Sequence, residues 1–457
     1  MPGAPVLLIL SAAVATVPVV RIGGLFPRFR TVASSYSHDS SGVRRYTAFV
    51  QAIREINDKS DGVADDLLPN TQLRFTTRDS KRSEAHAYDG ARKLAQLAFD
   101  GTGVSAVVGA ASSGPSKLAA LALAQTSTPQ ISYSSTSAAL SDGSTYPYFL
   151  RTPPSDAFQA RGLADLAKNL LGYSRLAVVV GRDSYSTAGN AAFLAAAAEL
   201  GITIIARVQI APSAAGLSQQ YKTLRQSAAR VVVLFCSSYD ASRFLDGALE
   251  EGIGGPGWMW LASDAVANAN TFSRVADPAR RERIFKGLFA LSPSIGRGTP
   301  AYSSYLARLK ALQPTLANGV QCDTEVDDDG ELMWAFDHDD DASTPLECSG
   351  SDNQAEDTYA PFAYDAVFAL AKALHVLIEE YRVSAILGDE LMAALTQNVS
   401  FVGVTGQIEF QDASGHPERH LHGDRIGSVY DVRTEQHPRP IPPNASLTLR
   451  MHFESRF

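Results

Sequence analysis

The sequence predicts an α/β protein of two doubly wound lobes, each a parallel β-sheet with helices on both faces. Three observations carry that prediction. From Val20 onward, short β-branched runs alternate with segments of helical period, the rhythm of strands joined by crossover helices. That rhythm restarts after Arg151, and one open sheet rarely takes so many strands without splitting. The composition, 457 residues of which 45% are hydrophobic and 19% charged, supplies more than one sizeable core, so neither a disordered chain nor a small disulfide scaffold is expected.

Met1 to Val20 carries no charged side chain. It is too short for a comfortable membrane span, and Pro18 interrupts it. Ala13-Val14-Ala15 is an A-x-A cleavage pattern, so residues 1–15 read as a secretory signal peptide. The sequons Asn398-Val399-Ser400 and Asn444-Ala445-Ser446 point to the same extracellular or cell-surface compartment. No later segment has enough uninterrupted apolar residues to be expected to cross a bilayer.

The first lobe, residues 16–150, opens with a strand at Val20–Phe26. A helix follows at Val43–Asn57, where Val43, Tyr46, Val50, Ile53 and Asn57 share a stripe with Arg44, Arg54 and Asp58 off it. Strands at Leu73–Thr77, Val104–Val108 and Gln130–Tyr133 then alternate with helices at Ala85–Ala98 and Pro115–Ala124. In the second lobe, residues 151–290, a helix at Phe158–Leu170 leads to strands at Leu176–Val180, Val231–Phe235 and Trp258–Ala262. Crossings between lobes are expected near Tyr148–Pro154, near Leu288–Pro293 and before the final strands. Residues 291–457 should return to complete both lobes and the hinge, with a helix at Tyr359–Tyr381 and strands at Gly406–Phe410 and Ser428–Val432.

The net charge is −8, from 48 acidic and 40 basic residues. Between Cys322 and Cys348 lie 11 acids and no Lys or Arg, which leaves the rest of the chain near neutral. With no basic block to track a phosphate backbone, nucleic acid is not expected as a partner. The acidic segment 322–348 reads as a solvated surface insert, and its flanking cysteines as one disulfide in a secreted protein. Cys236 sits inside the apolar run ending at Phe235 and reads as a buried small hydrophobe.

No enzyme or cofactor signature survives its context. Gly252-Ile253-Gly254-Gly255-Pro256-Gly257 spells GxGxxG but precedes a strand instead of following one, and Pro256 would disturb the turn. Asp327-Asp328-Asp329-Gly330 resembles a calcium loop, yet with Glu325 as position one the twelfth residue is Phe336. HExxH, P-loop and GxSxG motifs are absent. Hence neither catalysis nor a cofactor is expected.

The informative segment runs from Val107 to Pro115, Val-Val-Gly-Ala-Ala-Ser-Ser-Gly-Pro. A strand ends and a helix begins there, so Ser112 and Ser113 stand at a helix N-terminus, where free N–H groups and hydroxyls suit a carboxylate or simply cap the helix. The next strand ends in a second hydroxyl cluster, Ser132-Tyr133-Ser134-Ser135-Thr136-Ser137. Both clusters lie at the carboxyl edge of one sheet, where open α/β sheets bind ligands.

With GAASSG, PQISYSSTSAALSD and YFLRTPPSDAFQAR, the chain resembles the ligand-binding ectodomain of class C G-protein-coupled receptors, above all metabotropic glutamate receptors. Tyr359-Ala360-Pro361-Phe362-Ala363-Tyr364-Asp365 is closer to the metabotropic GABA receptors. The resemblance extends from Arg21-Ile22-Gly23-Gly24-Leu25-Phe26-Pro27 to Phe401-Val402-Gly403-Val404-Thr405-Gly406, and ionotropic glutamate receptor amino-terminal domains and natriuretic-type receptors share some of it. It implies a periplasmic-binding-protein type I, or Venus flytrap, architecture whose lobes close on an α-amino acid. By match, Ser113 with Ser112, and Thr136 with Ser134, would hold the α-carboxylate. Asp156, Asp264 and the ring of Tyr185 would hold the α-ammonium, a pairing of acids and an aromatic face with a cation that is sound on physical grounds. Arg45 would meet a distal group, while Tyr359 stands where glutamate receptors carry a lysine, so a neutral amino acid is expected in preference to glutamate.

The same resemblance implies a homo- or heterodimer formed through the first lobe, with a membrane region and a G protein engaged only by a longer chain. A secreted solute-binding protein of the same fold and a doubly wound enzyme are the rival readings. For the acidic insert the expected outcomes are concrete: non-reducing peptide mapping of secreted protein finds Cys322 joined to Cys348, and deleting Asp323 to Asp341 leaves ligand affinity unchanged.

Overall fold

A computed structural model describes residues 18–32, 35–96, 103–211, 216–267, 271–272, 275–316, 324–326, 332–334, 357–383, 385–411, 423–426, 428–434 and 449–453. The first strand, β1 (Val19–Phe26), is followed by a hairpin that the hydropathy pattern does not announce, β2 (Phe29–Val32) and β3 (Ser35–His38). Then come α1 (Ser40–Asn57), β4 (Gln72–Asp79), α2 (Glu84–Gln96), β5 (Val104–Val108), α3 (Ser113–Ala124), β6 (Gln130–Ser132) and β7 (Phe149–Arg151). They build a parallel sheet of order β4-β1-β5-β6-β7.

Strand β5 is apolar on both faces because both are covered. Ala106 and Val108 join the core beneath α1, whereas Val104 and Val107 pack with Ala87, Leu94 and Leu123 of α2 and α3. The first turn of α1 is fixed twice over. Asp39 caps it by accepting from the Gly42 N–H at 3.0 Å, and a Cβ at position 42 would lie 1.6 Å from the Pro27 carbonyl oxygen, so this close approach requires glycine.

The second sheet begins after α4 (Asp156–Asp165), which runs on through a wider helical turn to Leu170. It is assembled from β8 (Arg175–Val180), β9 (Thr203–Gln209), β10 (Val231–Phe235), β11 (Met259–Ala262) and β12 (Leu288–Pro293). The helices between those strands are α5 (Ser184–Glu199), α6 (Ser218–Gln226), α7 (Ser238–Glu250) and α8 (Pro278–Phe285). Later elements are α9 (Pro300–Leu316), β13 (Thr324–Val326), β14 (Leu332–Trp334), α10 (Ala360–His375), α11 (Gly388–Gln397), β15 (Ser400–Gly403), β16 (Gly406–Glu409), β17 (Ser428–Thr434) and β18 (Leu449–Phe453). The second sheet has the order β18-β17-β12-β11-β10-β8-β9, parallel except where β17 pairs with β12 and β18.

The expected crossing near Leu288–Pro293 follows directly on strand β12: the chain leaves the second lobe just beyond Pro293, where Ile295, Tyr302 and Tyr305 already belong to the first core. One expectation needs correction. Helix α10 with its continuation, Ala360–Glu380, is long and apolar enough to span a membrane, contrary to the sequence reading, but most of it is buried against α1 in that same core. Cys322, Cys348, Asn444 and residues 1–15 lie outside the described residues. Cys236 is buried and Asn398 exposed.

The connections between lobes are held by two buried arginines. Arg151, at the end of β7, donates from Nε to Asp424 Oδ1 at 2.7 Å and from Nη1 to the Ser137 carbonyl at 2.8 Å, and Ser141 completes the cluster through Asp424 Oδ2 at 2.9 Å. Arg425 donates to the carbonyls of Thr152, Thr405 and Gln407. Thr405 is in turn fixed by Asp365, which accepts from its N–H at 2.8 Å and its hydroxyl at 2.6 Å. Lacking a direct carboxylate partner, the Arg425 guanidinium is lowered by burial to about 10. Removing one member of a buried pair leaves the other charge uncompensated, typically at ~3–5 kcal/mol. Arg151→Ala should therefore lower unfolding free energy in urea by that order, and Arg151→Ala/Asp424→Ala by less than the two single losses combined.

Candidate ligand-binding site

The carboxyl ends of β5 and β6 bring the two hydroxyl clusters together. Ser112 is the N-cap of α3, with extended backbone and no side-chain capping bond; its hydroxyl instead meets Arg82 Nη1 at 3.4 Å. Ser113, the first residue of α3, is buried and its Oγ accepts from the Ser137 N–H at 3.2 Å. Ser134 donates to the Ala111 carbonyl at 2.6 Å, and Ser116 and Ser135 share a hydrogen bond of 2.8 Å. Part of the hydroxyl-rich sequence is thus spent on tying the two loops to each other. The first N–H groups of α3 have no partner within the helix by geometry, and the helix dipole adds positive potential there.

The acids come from the second lobe. Asp156 opens α4, where Ser155 caps the helix through the Ala157 N–H and the Asp156 N–H donates to the Thr136 carbonyl at 2.7 Å. Its side chain is fully buried, and neither carboxylate oxygen makes a hydrogen bond of normal geometry. Asp264 follows β11 in the second lobe. It accepts from the Tyr185 hydroxyl at Oδ1 (2.6 Å) and from the Tyr359 hydroxyl at Oδ2. The Tyr359 bond crosses between lobes, since Tyr359 leads into α10 and packs in the first core. Lys117 of α3 makes a second bridge, to the Ser184 hydroxyl at the start of α5, at 2.6 Å.

Burial, reinforced by the negative charge of Asp264, pushes the Asp156 carboxyl well above the carboxylate range, and the nearby Thr136 hydroxyl opposes this only weakly. For Tyr359, burial and then Asp264 drive the phenol well up, so it remains a donor. Asp156 thus needs a proton or a cation beside it.

Arg45 behaves differently from the sequence expectation. Its guanidinium does not stand open to a distal ligand group: Nε and Nη2 bind the two oxygens of Asp357 at 2.9 and 3.2 Å, Nη1 reaches the Ser134 hydroxyl at 3.3 Å, and the Tyr359 ring lies 5.1 Å from its carbon centre. Asp357 also accepts from the Tyr359 and Ala360 N–H groups at 2.9 Å each. The sequence reading missed Asp357. Its position just ahead of a helix carries a capping signal, but nothing local links it to Arg45, 312 residues away.

Two α/β lobes facing each other across a polar site, with acids on one side and hydroxyls on the other, define a two-lobed ligand-binding protein. Residues 44–421 match the family model described as "Receptor family ligand binding region", and the chain belongs to that family. It is similar to human metabotropic glutamate receptor 8, with 25% identity over 441 residues that cover 87% of this chain and 47% of the receptor. Metabotropic glutamate receptor 4 of Macaca fascicularis is 25% identical over 458 residues, covering 88% and 47%. The metabotropic glutamate receptor-like protein E of Dictyostelium discoideum is 25% identical over 367 residues, covering 78% and 39%. The chain therefore spans about half the length, or less, of these curated relatives.

A carboxyl whose folded pKa is raised contributes stability that is present below its unfolded value, about 3.9, and lost as pH rises through the folded value. Asp156→Asn should therefore raise the melting temperature of the ligand-free protein at pH 7.5 and leave it unchanged near pH 4, as read by paired thermal melts of variant and wild type.

Proposed function

We propose that this chain is the extracellular ligand-binding region of a class C G-protein-coupled receptor-like protein, and that it binds an α-amino acid or close analogue between its lobes. The observation that carries this reading is Asp156: a fully buried carboxyl without a hydrogen bond of normal geometry, beside Asp264 and the Thr136 hydroxyl. A zwitterion answers both sides at once. Its ammonium supplies the cation that Asp156 and Asp264 need, and its carboxylate takes the α3 N-terminus and the hydroxyls. Tyr185 and Tyr359 orient Asp264 for that contact.

Signalling then follows from differential affinity. A ligand that touches Ser113 on one lobe and Asp264 on the other binds the closed arrangement better than an open one, and shifts the population toward it. No bond is made or broken and no cofactor takes part. In this reading the domain works at the cell surface as a dimer formed through the first lobe, and a longer chain supplies the membrane region and the contact with a G protein.

The test is a thermal-shift screen of the proteinogenic amino acids and γ-aminobutyrate, since a ligand selective for the folded state raises its stability. At least one α-amino acid should raise the melting temperature in proportion to log concentration; no shift with any would sink the proposal. Ser113→Ala should weaken that ligand about tenfold, from losing one charge-assisted bond worth ~1.5 kcal/mol or more. Because the ammonium replaces a proton on Asp156, affinity should rise with pH through the raised Asp156 value. Calorimetry in two buffers of different ionisation enthalpy should register proton release, which Asp156→Asn abolishes.

A further inference from the structure

Arg45 occupies the place where a distal carboxylate would be expected to bind, yet its charge is already matched. Asp357 takes the Nε and Nη2 edge of the guanidinium with both oxygens, the two-bond geometry in which arginine best recognises any carboxylate. The Tyr359 ring covers a face of the same group at 5.1 Å, and Ser134 meets the remaining nitrogen. Both partners are buried, with side-chain exposures of 6% for Arg45 and 1% for Asp357. Nor can Asp357 withdraw freely, because its Oδ1 also holds the N–H groups of Tyr359 and Ala360 at the start of α10. A ligand carboxylate seeking Arg45 would have to displace Asp357, leaving a buried acid unpaired and two helix N–H groups without their acceptor.

We infer that Asp357 is a specificity-determining residue: it acts as a built-in counter-ion for Arg45 and excludes amino acids with an acidic side chain from the cleft. This rests on the amino-acid reading above and adds to it the class of ligand. The far end of the site is a closed salt bridge under an aromatic ring, a surface that suits a side chain carrying no negative charge. Tyr359 in place of a second cation weakens the hold on a distal acid, and Asp357 removes what hold remains.

The experiment compares glutamate with the non-acidic amino acid that gives the largest thermal shift, by calorimetry on the full chain at one salt concentration, because charge effects are screened. Wild type should bind the non-acidic ligand at least tenfold more tightly. In Asp357→Asn, which frees the Arg45 charge, that ratio should move toward glutamate by tenfold or more. If wild type prefers glutamate, or if the variant binds with an unchanged ratio, the inference is overturned while the amino-acid site stands. If no amino acid binds wild type at all, the site reading fails and the inference falls with it. Should Asp357→Asn not fold, Arg45→Gln/Asp357→Asn removes both charges together. The non-acidic ligand should bind this double variant within threefold of wild type, whereas a loss beyond tenfold would mean that Arg45 grips the ligand itself and would overturn the inference.

Discussion

Asp156 is a buried carboxyl beside a second acid, Asp264, and burial together with that neighbouring charge holds it well above the carboxylate range. The surroundings treat the two acids unequally. Asp264 receives two tyrosine hydroxyls, one from each lobe, whereas Asp156 is fixed through its backbone to Thr136 and its carboxyl is left without a hydrogen bond. On the proposed reading, that inequality is what makes the pair a binding site, because the group that is least stable alone gains most from an ammonium.

For such a site to report on lobe position, its halves must ride on separate rigid bodies joined by a hinge of fixed geometry. The sheets supply the bodies. The hinge is built from Arg151 and Arg425, which donate to backbone carbonyls at the crossings, from Asp424, which pairs with Arg151, and from Asp365, which accepts from Thr405. Asp156 lies only five residues beyond Arg151, so the cluster that fixes the first crossing also sets where the unpartnered carboxyl points. Function and hinge stability therefore share one short segment of chain, Phe149 to Asp156.

The strands were legible because burial on both faces writes them as continuous apolar runs, as in Val231–Phe235 and Leu176–Val180. Helix α1 is buried over far more than the stripe its period suggests, because α10 covers it from the other side, and so Arg45 becomes a buried residue that a helical wheel leaves at the surface. The hairpin Phe29–His38 escaped because alternation over four residues between polar neighbours is too short to separate from a loop. The hydroxyl clusters at helix and strand ends could be picked out from residue type and position, whereas Asp156 and Asp264 stood out only through the family resemblance. Asp357 could not be picked out, since its role depends on a contact between distant parts of the chain.

Tyr359 joins the two charge problems of the cleft. Its hydroxyl donates to Asp264, completing that acid without adding charge, and its ring lies against Arg45, whose own charge Asp357 balances. A lysine at this position would neutralise Asp264 and stand close to Arg45, and the pair of cations would then call for an acid from the ligand. With tyrosine there, the distal end is balanced within the protein and the remaining negative charge sits at Asp156 and Asp264. For an α-amino acid bound as proposed, the deficit to be corrected is therefore confined to the ammonium end, and discrimination at the other end falls to shape and to the exclusion of a second acid.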